Sequence, residues 1–75
     1  MKKIKEFINS NKLKLNYIEN KLNVVNYDEI VLLTEKKIIL LKDTKTVTIK
    51  GENLTLLKLL EEEILINGSI QTIEL

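Results

Sequence analysis

The sequence predicts an all-β protein, and three features of the chain support that fold class. Apolar and polar residues alternate with a period of two over much of residues 13–75, which is the spacing of a strand with one buried face. The apolar residues are mainly Ile, Leu and Val, without any Ala, and β-branched residues favour strands. Asn67-Gly68 is a strong tight-turn signal, because both residue types tolerate positive φ. No linker-like stretch interrupts the 75 residues, so a single domain over 1–75 is expected.

The elements are predicted in order along the chain. A short amphipathic helix is expected at 2–9, where Ile4, Phe7 and Ile8 share one face. Eight short strands follow, at 13–18, 21–26, 30–34, 37–42, 45–50, 53–57, 63–67 and 69–74. Their close spacing suggests a mainly antiparallel meander, a sandwich or a small barrel.

Two alternatives to this arrangement stay open. The units at 47–51 and 64–68 resemble one another, which leaves a β-solenoid-like stack as a second fold. Residues 56–63 have a composition that also suits a helix, although strand and turn are preferred. Six residues are expected to shape turns or bulges, namely Asn26, Tyr27, Gly51, Asn53, Asn67 and Gly68.

Two segments, at 30–33 and 38–41, are apolar at every position, whereas a strand with one exposed face should alternate. Either both faces of these strands are covered within the chain, or one face is covered by another chain. A domain this small has marginal stability, and without cysteine no disulfide can brace it. The candidate interface therefore consists of Ile30, Val31, Leu32, Leu33, Ile38, Ile39, Leu40 and Leu41.

The sequence offers little for catalysis. It has no His and no Cys, so the usual general base, the thiol nucleophile and the commonest metal ligands are missing. Gly51 and Gly68 stand apart, so no phosphate-binding glycine loop exists. Three adjacent glutamates at 61–63 are expected to be a solvated surface, since a calcium loop needs ligands at alternating positions. No catalytic residue, cofactor or metal site is predicted.

Charge and hydropathy limit which partners and which cellular location can be expected. The formal net charge is +1, so no strong positive electrostatic field favours nucleic-acid binding. All twelve basic residues are Lys, so no Arg is present to contact guanine. No apolar run approaches the roughly 20 residues of a transmembrane helix. The N-terminal residues lack the apolar core of a signal peptide, so a cytoplasmic location is expected. A small nucleic-acid-binding β-barrel is the alternative function, on the basis of size, β pattern and a Lys-rich N-terminus.

Residues 22–75 carry motifs in a recognisable order. An I-x-G-x-N-L unit lies in Val47-Thr48-Ile49-Lys50-Gly51-Glu52-Asn53-Leu54. An E-I-x-I-x-G-x-I unit follows in Glu63-Ile64-Leu65-Ile66-Asn67-Gly68-Ser69-Ile70. This order resembles the YabP/YqfC family of sporulation proteins. The chain departs from the family before the Val47 strand, where Asp43-Thr44-Lys45 replaces an expected glycine turn.

The resemblance implies a function that the residues alone do not give. It implies a non-enzymatic protein made in the mother cell of an endospore-forming bacterium, acting in spore development or coat morphogenesis. The implied partners are other sporulation or coat proteins, including a membrane-bound one. Association with further copies of the chain is expected separately, from the two-sided apolar segments at 30–33 and 38–41. Association with the forespore or the coat is part of the same expectation.

Overall fold

The computed structural model describes residues 12–75, and these residues form six β-strands without a helix. The all-β prediction is confirmed. The predicted helix at 2–9 lies outside the described residues. The strands are β1 (Lys14–Ile18), β2 (Lys21–Val25), β3 (Glu29–Leu33), β4 (Lys37–Lys42), β5 (Lys45–Leu59) and β6 (Glu63–Glu74).

All six strands pair antiparallel in one sheet of order β1-β2-β6-β5-β4-β3. β3 to β6 form a meander, and the β1–β2 hairpin lies against the far side of β6. Both residues of that hairpin turn, Glu19 and Asn20, have positive φ, which is the backbone of a type I′ turn. The antiparallel pairing excludes the solenoid alternative, and residues 56–59 belong to a strand rather than a helix.

The prediction of eight strands is wrong, because β5 and β6 each replace two of them. β5 and β6 stay paired on both sides of Gly51 and Gly68, so the chain bends there without reversing direction. Asn53 and Gly68 have φ of 54° and 140°, and the pairing register shifts between Glu52 and Thr55. Residues that tolerate positive φ thus bend a continuous strand at these positions, as glycines and bulges do at barrel corners.

The bend divides the sheet into two half-sheets that face each other. The first half-sheet contains β1, β2 and residues 55–59 and 63–67; the second contains β3, β4 and residues 45–52 and 69–74. Fully or almost fully buried side chains from both form one hydrophobic cluster. The first half-sheet contributes Leu22, Val24, Ile64 and Ile66, and the second contributes Ile38, Leu40, Val47 and Ile49, with Tyr27 and Leu54 completing the cluster.

The backbones of β5 and β6 approach closely at the bend. A Cβ atom built on Gly51 would overlap the carbonyl oxygen of Ser69. A Cβ atom on Gly68 would lie 2.8 Å from the carbonyl oxygen of Asn53, and the positive φ of Gly68 disfavours any other residue as well. Both glycines are therefore required by the fold of β5 against β6.

We expect substitution of either glycine to lower the free energy of unfolding. Gly68→Val should cost about 1–3 kcal/mol through backbone strain. Gly51→Ala should cost at least as much, since a backbone carbonyl has to move. Denaturant unfolding followed by circular dichroism measures both, with Ser69→Ala, an exposed position, as the control. An unchanged unfolding midpoint for Gly68→Val would show that the bend does not depend on this residue.

Candidate interaction surface

Residues 26–28 connect the two half-sheets at the side away from the β5–β6 bend. The Asn26 N–H donates a hydrogen bond to the carbonyl of Glu62 at 2.7 Å, in the loop that leads into the first half-sheet. The Asp28 N–H donates to the carbonyl of Leu41 at 2.8 Å, in the second half-sheet. The Asn26 side chain donates to the carbonyl of Lys12 at 2.9 Å, and its φ of 72° turns the chain. This link fixes the distance between the half-sheets.

Tyr27 lies between these two anchors and is buried, with 5% of its surface exposed. Its hydroxyl donates a hydrogen bond to the carbonyl of Leu60 at 3.1 Å. Burial raises the pKa of the Tyr27 hydroxyl above its ordinary value, because the phenolate is poorly solvated there. Tyr27 therefore fills the core next to the link and ties the link to the end of β5.

Of the residues predicted to shape turns, Asn26 and Tyr27 form this link, and Gly51, Asn53 and Gly68 form the bend. Asn67 differs, since it is paired inside β6 with Lys21 and Thr55, and the Asn67-Gly68 hairpin predicted from the sequence does not exist. The turn at Asp43-Thr44 is short, with Lys42 paired to Lys45. Asp43 has φ 59°, and its N–H donates to the carboxylate of Asp28.

The structure separates the eight candidate interface residues into two groups. Ile38 and Leu40 are fully buried in the core, so in the folded chain they cannot contact a partner. Ile39 and Leu41, on the opposite face of β4, are half-buried. The β3 residues are more exposed. Ile30 is half-buried, and the exposed fractions of Val31, Leu32 and Leu33 are 55%, 39% and 47%. The candidate surface is thus reduced to β3 and the outer face of β4.

β3 and the end of β5 are two unpaired edges of the described sheet, each with a half-exposed leucine. Leu33 is paired with buried Ile38, and Leu59 is paired with buried Ile64, so both leucines are on the core side of their strands. They are nevertheless 47% and 57% exposed. Among the described residues, β3 pairs only with β4, and residues 55–59 pair only with β6, so no strand joins the two edges. An opening between the two strand edges therefore lies beside the buried core.

Hydrogen bonds close both ends of this opening, which we call the β3–β5 seam. At one end the Leu54 N–H donates to the carbonyl of Glu35 at 2.8 Å, and at the other the Tyr27 hydroxyl donates to Leu60. Exposed apolar side chains run along both edges between these ends. They are Val31, Leu32 and Leu33 on β3, and Leu57, Leu59 and Leu60 on or next to β5.

Leu57, Leu59 and Leu60 are not among the interface residues predicted from the sequence. A signal for them exists there, because apolar residues occupy consecutive positions at 56–57 and 59–60, as they do at 30–33. The register shift between Leu56 and Lys58 gives this strand a bulge, which alters the alternation and turns Leu57 outward. An edge strand with apolar residues on both faces is recognisable only once the strand order is known.

Polar sites elsewhere in the described residues offer few groups for ligand binding or catalysis. A shallow cleft on the outer face of the first half-sheet is lined by Asn16, Asn23 and Lys58, and the Asn23 Oδ1 atom there is buried without a hydrogen-bond partner. Within residues 12–75, no group of three or more acidic side chains is placed to hold a metal ion. The same residues include no helix that could cross a membrane.

No family model, curated protein or solved structure matches the chain. The resemblance to the YabP/YqfC family therefore stays a prediction from motif order. The two motif units do meet in the structure, because Gly51 of the first is paired with Ile70 of the second at the bend. Within these units, Gly51, Asn53 and Gly68 are explained by the backbone geometry of the bend.

The buried Tyr27 gives a pH-dependent prediction. Its folded-state pKa lies above its unfolded value of about 10, so its contribution to stability is present below that pH and is lost as pH rises through the folded pKa. We expect Tyr27→Phe to cost about 0.5–1.5 kcal/mol at pH 7, from the lost hydrogen bond. The variant should also lose less stability than the parent between pH 9 and 11.

Tyr17→Phe is the matched control, because Tyr17 is exposed and its hydroxyl bonds only to the nearby Asn20 side chain among the described residues. Urea unfolding at a series of pH values measures the effect. Equal pH dependence in all three proteins would contradict a raised pKa for Tyr27.

Proposed function

We propose that this protein is a non-enzymatic interaction module that assembles with other protein chains along the edges of the β3–β5 seam. The observation that carries the proposal is the exposure of Leu33 and Leu59, which lie on the core side of their strands and yet are about half in contact with solvent. A strand or side chains from another chain would complete the cover of this part of the core.

The chemistry of the seam favours a protein partner. Its edges combine unpaired backbone groups, which can accept an added strand, with apolar side chains that gain from burial. Burying apolar surface contributes about 25 cal/mol per Å², so a few leucines at such an edge support measurable association. Contiguous exposed apolar patches of several hundred Å² are uncommon on soluble monomers and often mark interaction sites.

The biological setting is proposed from the sequence resemblance alone. The YabP/YqfC-like motif order suggests a role in spore development or coat morphogenesis, with other sporulation proteins as partners. The composition supports a non-catalytic role, because the chain has no His and no Cys. Genetic deletion in an endospore-forming host, scored by spore yield and coat morphology, tests this part.

We expect Leu33→Lys to abolish or strongly weaken association at the β3 edge, and Leu59→Lys to do the same at the β5 edge. Both should leave the fold intact, because both side chains are at exposed edges. Thr55→Lys is the matched control, since it adds the same charge to β5 at an exposed position on the outer face. Sedimentation at micromolar concentration measures self-association, and tagged protein recovered from sporulating cells measures association with other proteins.

Circular dichroism melts of all three variants separate loss of association from loss of fold. A parent protein that sediments as a monomer and recovers no specific partner from sporulating cells would overturn the proposal. Equal loss of association in Thr55→Lys would show that added charge, rather than the seam, is responsible.

A further inference from the structure

We infer that β3 is the strand through which two copies of this chain pair, antiparallel and around a two-fold axis. This inference rests on the proposed function and names one partner and one edge for it. The free edge of β3, the apolar residues along it and the charges at its two ends together lead to this arrangement.

β3 has an edge available for pairing. Among the described residues its backbone pairs with β4 on one side only, as it is the last strand of the sheet. Val31, Leu32 and Leu33 follow one another along this edge, and all three are exposed. An added antiparallel strand would satisfy the free backbone groups and bury these side chains.

The charges at the ends of β3 select a second copy and its direction. Asp28 and Glu29 are at the start of the strand, and Glu35, Lys36 and Lys37, whose formal charges sum to +1, follow its end. In an antiparallel pair the acidic start of one copy lies beside the basic end of the other, at both ends of the interface. A parallel pair would place like charges together, which costs binding energy. The edge is therefore self-complementary in one direction only.

Most of these charges are available for a partner, whereas Asp28 is already paired within its own chain. The ion pairs within residues 12–75 are Lys42–Asp28 at 3.8 Å and Lys50–Glu74 at 3.4 Å. Glu29, Lys36 and Lys37 take part in neither of them. Glu29 and Lys36 are also exposed, so each can reach an opposite charge on a second copy without breaking a contact in its own chain.

The other edge of the seam does not fit a copy of itself. The free part of β5 is followed by Glu61, Glu62 and Glu63, and the bend that precedes it carries Glu52. An antiparallel pair of two such edges would bring glutamates together at both ends. β1 is the strand at the opposite end of the sheet, and it exposes two large apolar side chains, Tyr17 and Ile18. β3 exposes three, so its edge has more apolar groups to bury.

The bulge in β3 limits the strength of the pair. The register of β3 against β4 shifts between Ile30 and Leu32, so the regular part of the edge is short. Interfaces of less than about 1,200 Å² belong mostly to weak or transient complexes. We therefore expect a dimer that forms in the micromolar range and dissociates on dilution.

Cysteine cross-linking tests the arrangement directly, because the chain contains no cysteine of its own. A disulfide needs Cα atoms within about 7 Å, so it reports which residues meet. Leu32→Cys, near the two-fold axis, should form a disulfide-linked dimer on mild oxidation. Glu29→Cys alone and Lys36→Cys alone should not, whereas an equal mixture of the two variants should form the mixed dimer.

Charge reversal provides a second measurement. Glu29→Lys should weaken the dimer about three- to tenfold in sedimentation equilibrium, since each of two symmetric contacts is lost. Glu29→Lys combined with Lys36→Glu should restore most of the affinity, because the charges are exchanged rather than removed. Charge reversal at Glu19, an exposed residue of the β1–β2 turn, is the control and should leave the affinity unchanged.

The outcomes distinguish this inference from the proposed function. Self-association that persists without cross-linking at Leu32→Cys would overturn β3 as the pairing strand and leave an assembly module that uses another edge. Self-cross-linking of each single cysteine variant, Glu29→Cys included, would overturn the antiparallel direction. A monomeric parent protein that still recovers a specific protein partner would overturn the second copy as occupant, and the proposed function would stand.

Discussion

The close approach of β5 and β6 at their shared bend is the constraint on which the rest of the structure depends. Gly51 lies directly against the Ser69 carbonyl, and Gly68 has a φ that other residues rarely adopt. Because the two strands bend together and stay paired, one sheet serves as both layers of the core. Without the bend, the buried faces of the two half-sheets would be exposed on one flat sheet, and this chain has no helix within residues 12–75 to cover them.

The link at residues 26–28 is a second connection between the two half-sheets, on the side opposite the bend. Hydrogen bonds from Asn26 and Asp28 attach it to both half-sheets, and Tyr27 fills the space between them. A chain of this size needs both layers held firmly, because its core consists of only ten buried apolar side chains in the described region. The two connections hold the layers together at opposite sides and leave the outer edges of the sheet unpaired within residues 12–75.

Those unpaired edges are the basis of the proposed association. A bent sheet that does not close into a barrel leaves edges, and proteins commonly protect such edges with charges, bulges or short strands. This chain has bulges in both β3 and β5, yet it keeps apolar side chains exposed along each. The bulges shorten the regular edge, which would favour limited, reversible pairing over open-ended aggregation. In the proposed dimer, the charged residues at the ends of β3 would set the direction of that pairing.

Local sequence patterns determined the fold class and most strand positions. β4 occurs at the predicted residues 37–42, and β1, β2 and β3 lie within one residue of their predicted bounds, because alternation and turn residues act over a few positions. The lack of His and Cys is a property of composition, and it removes the commonest catalytic groups whatever the fold. The two-sided apolar segments at 30–33 and 38–41 correspond to β3 and β4, and of these two strands only β4 contributes fully buried side chains.

Only the tertiary structure decided whether Gly51 and Asn67-Gly68 reverse the chain or bend it. Positive φ is compatible with both outcomes, and the choice depends on whether the flanking segments pair with each other or with the same neighbouring strand. The same holds for the candidate surface. Whether an apolar residue such as Leu40 or Leu33 is buried depends on the strands beside and above it, and strand order and layer packing are set by contacts between residues far apart in the sequence.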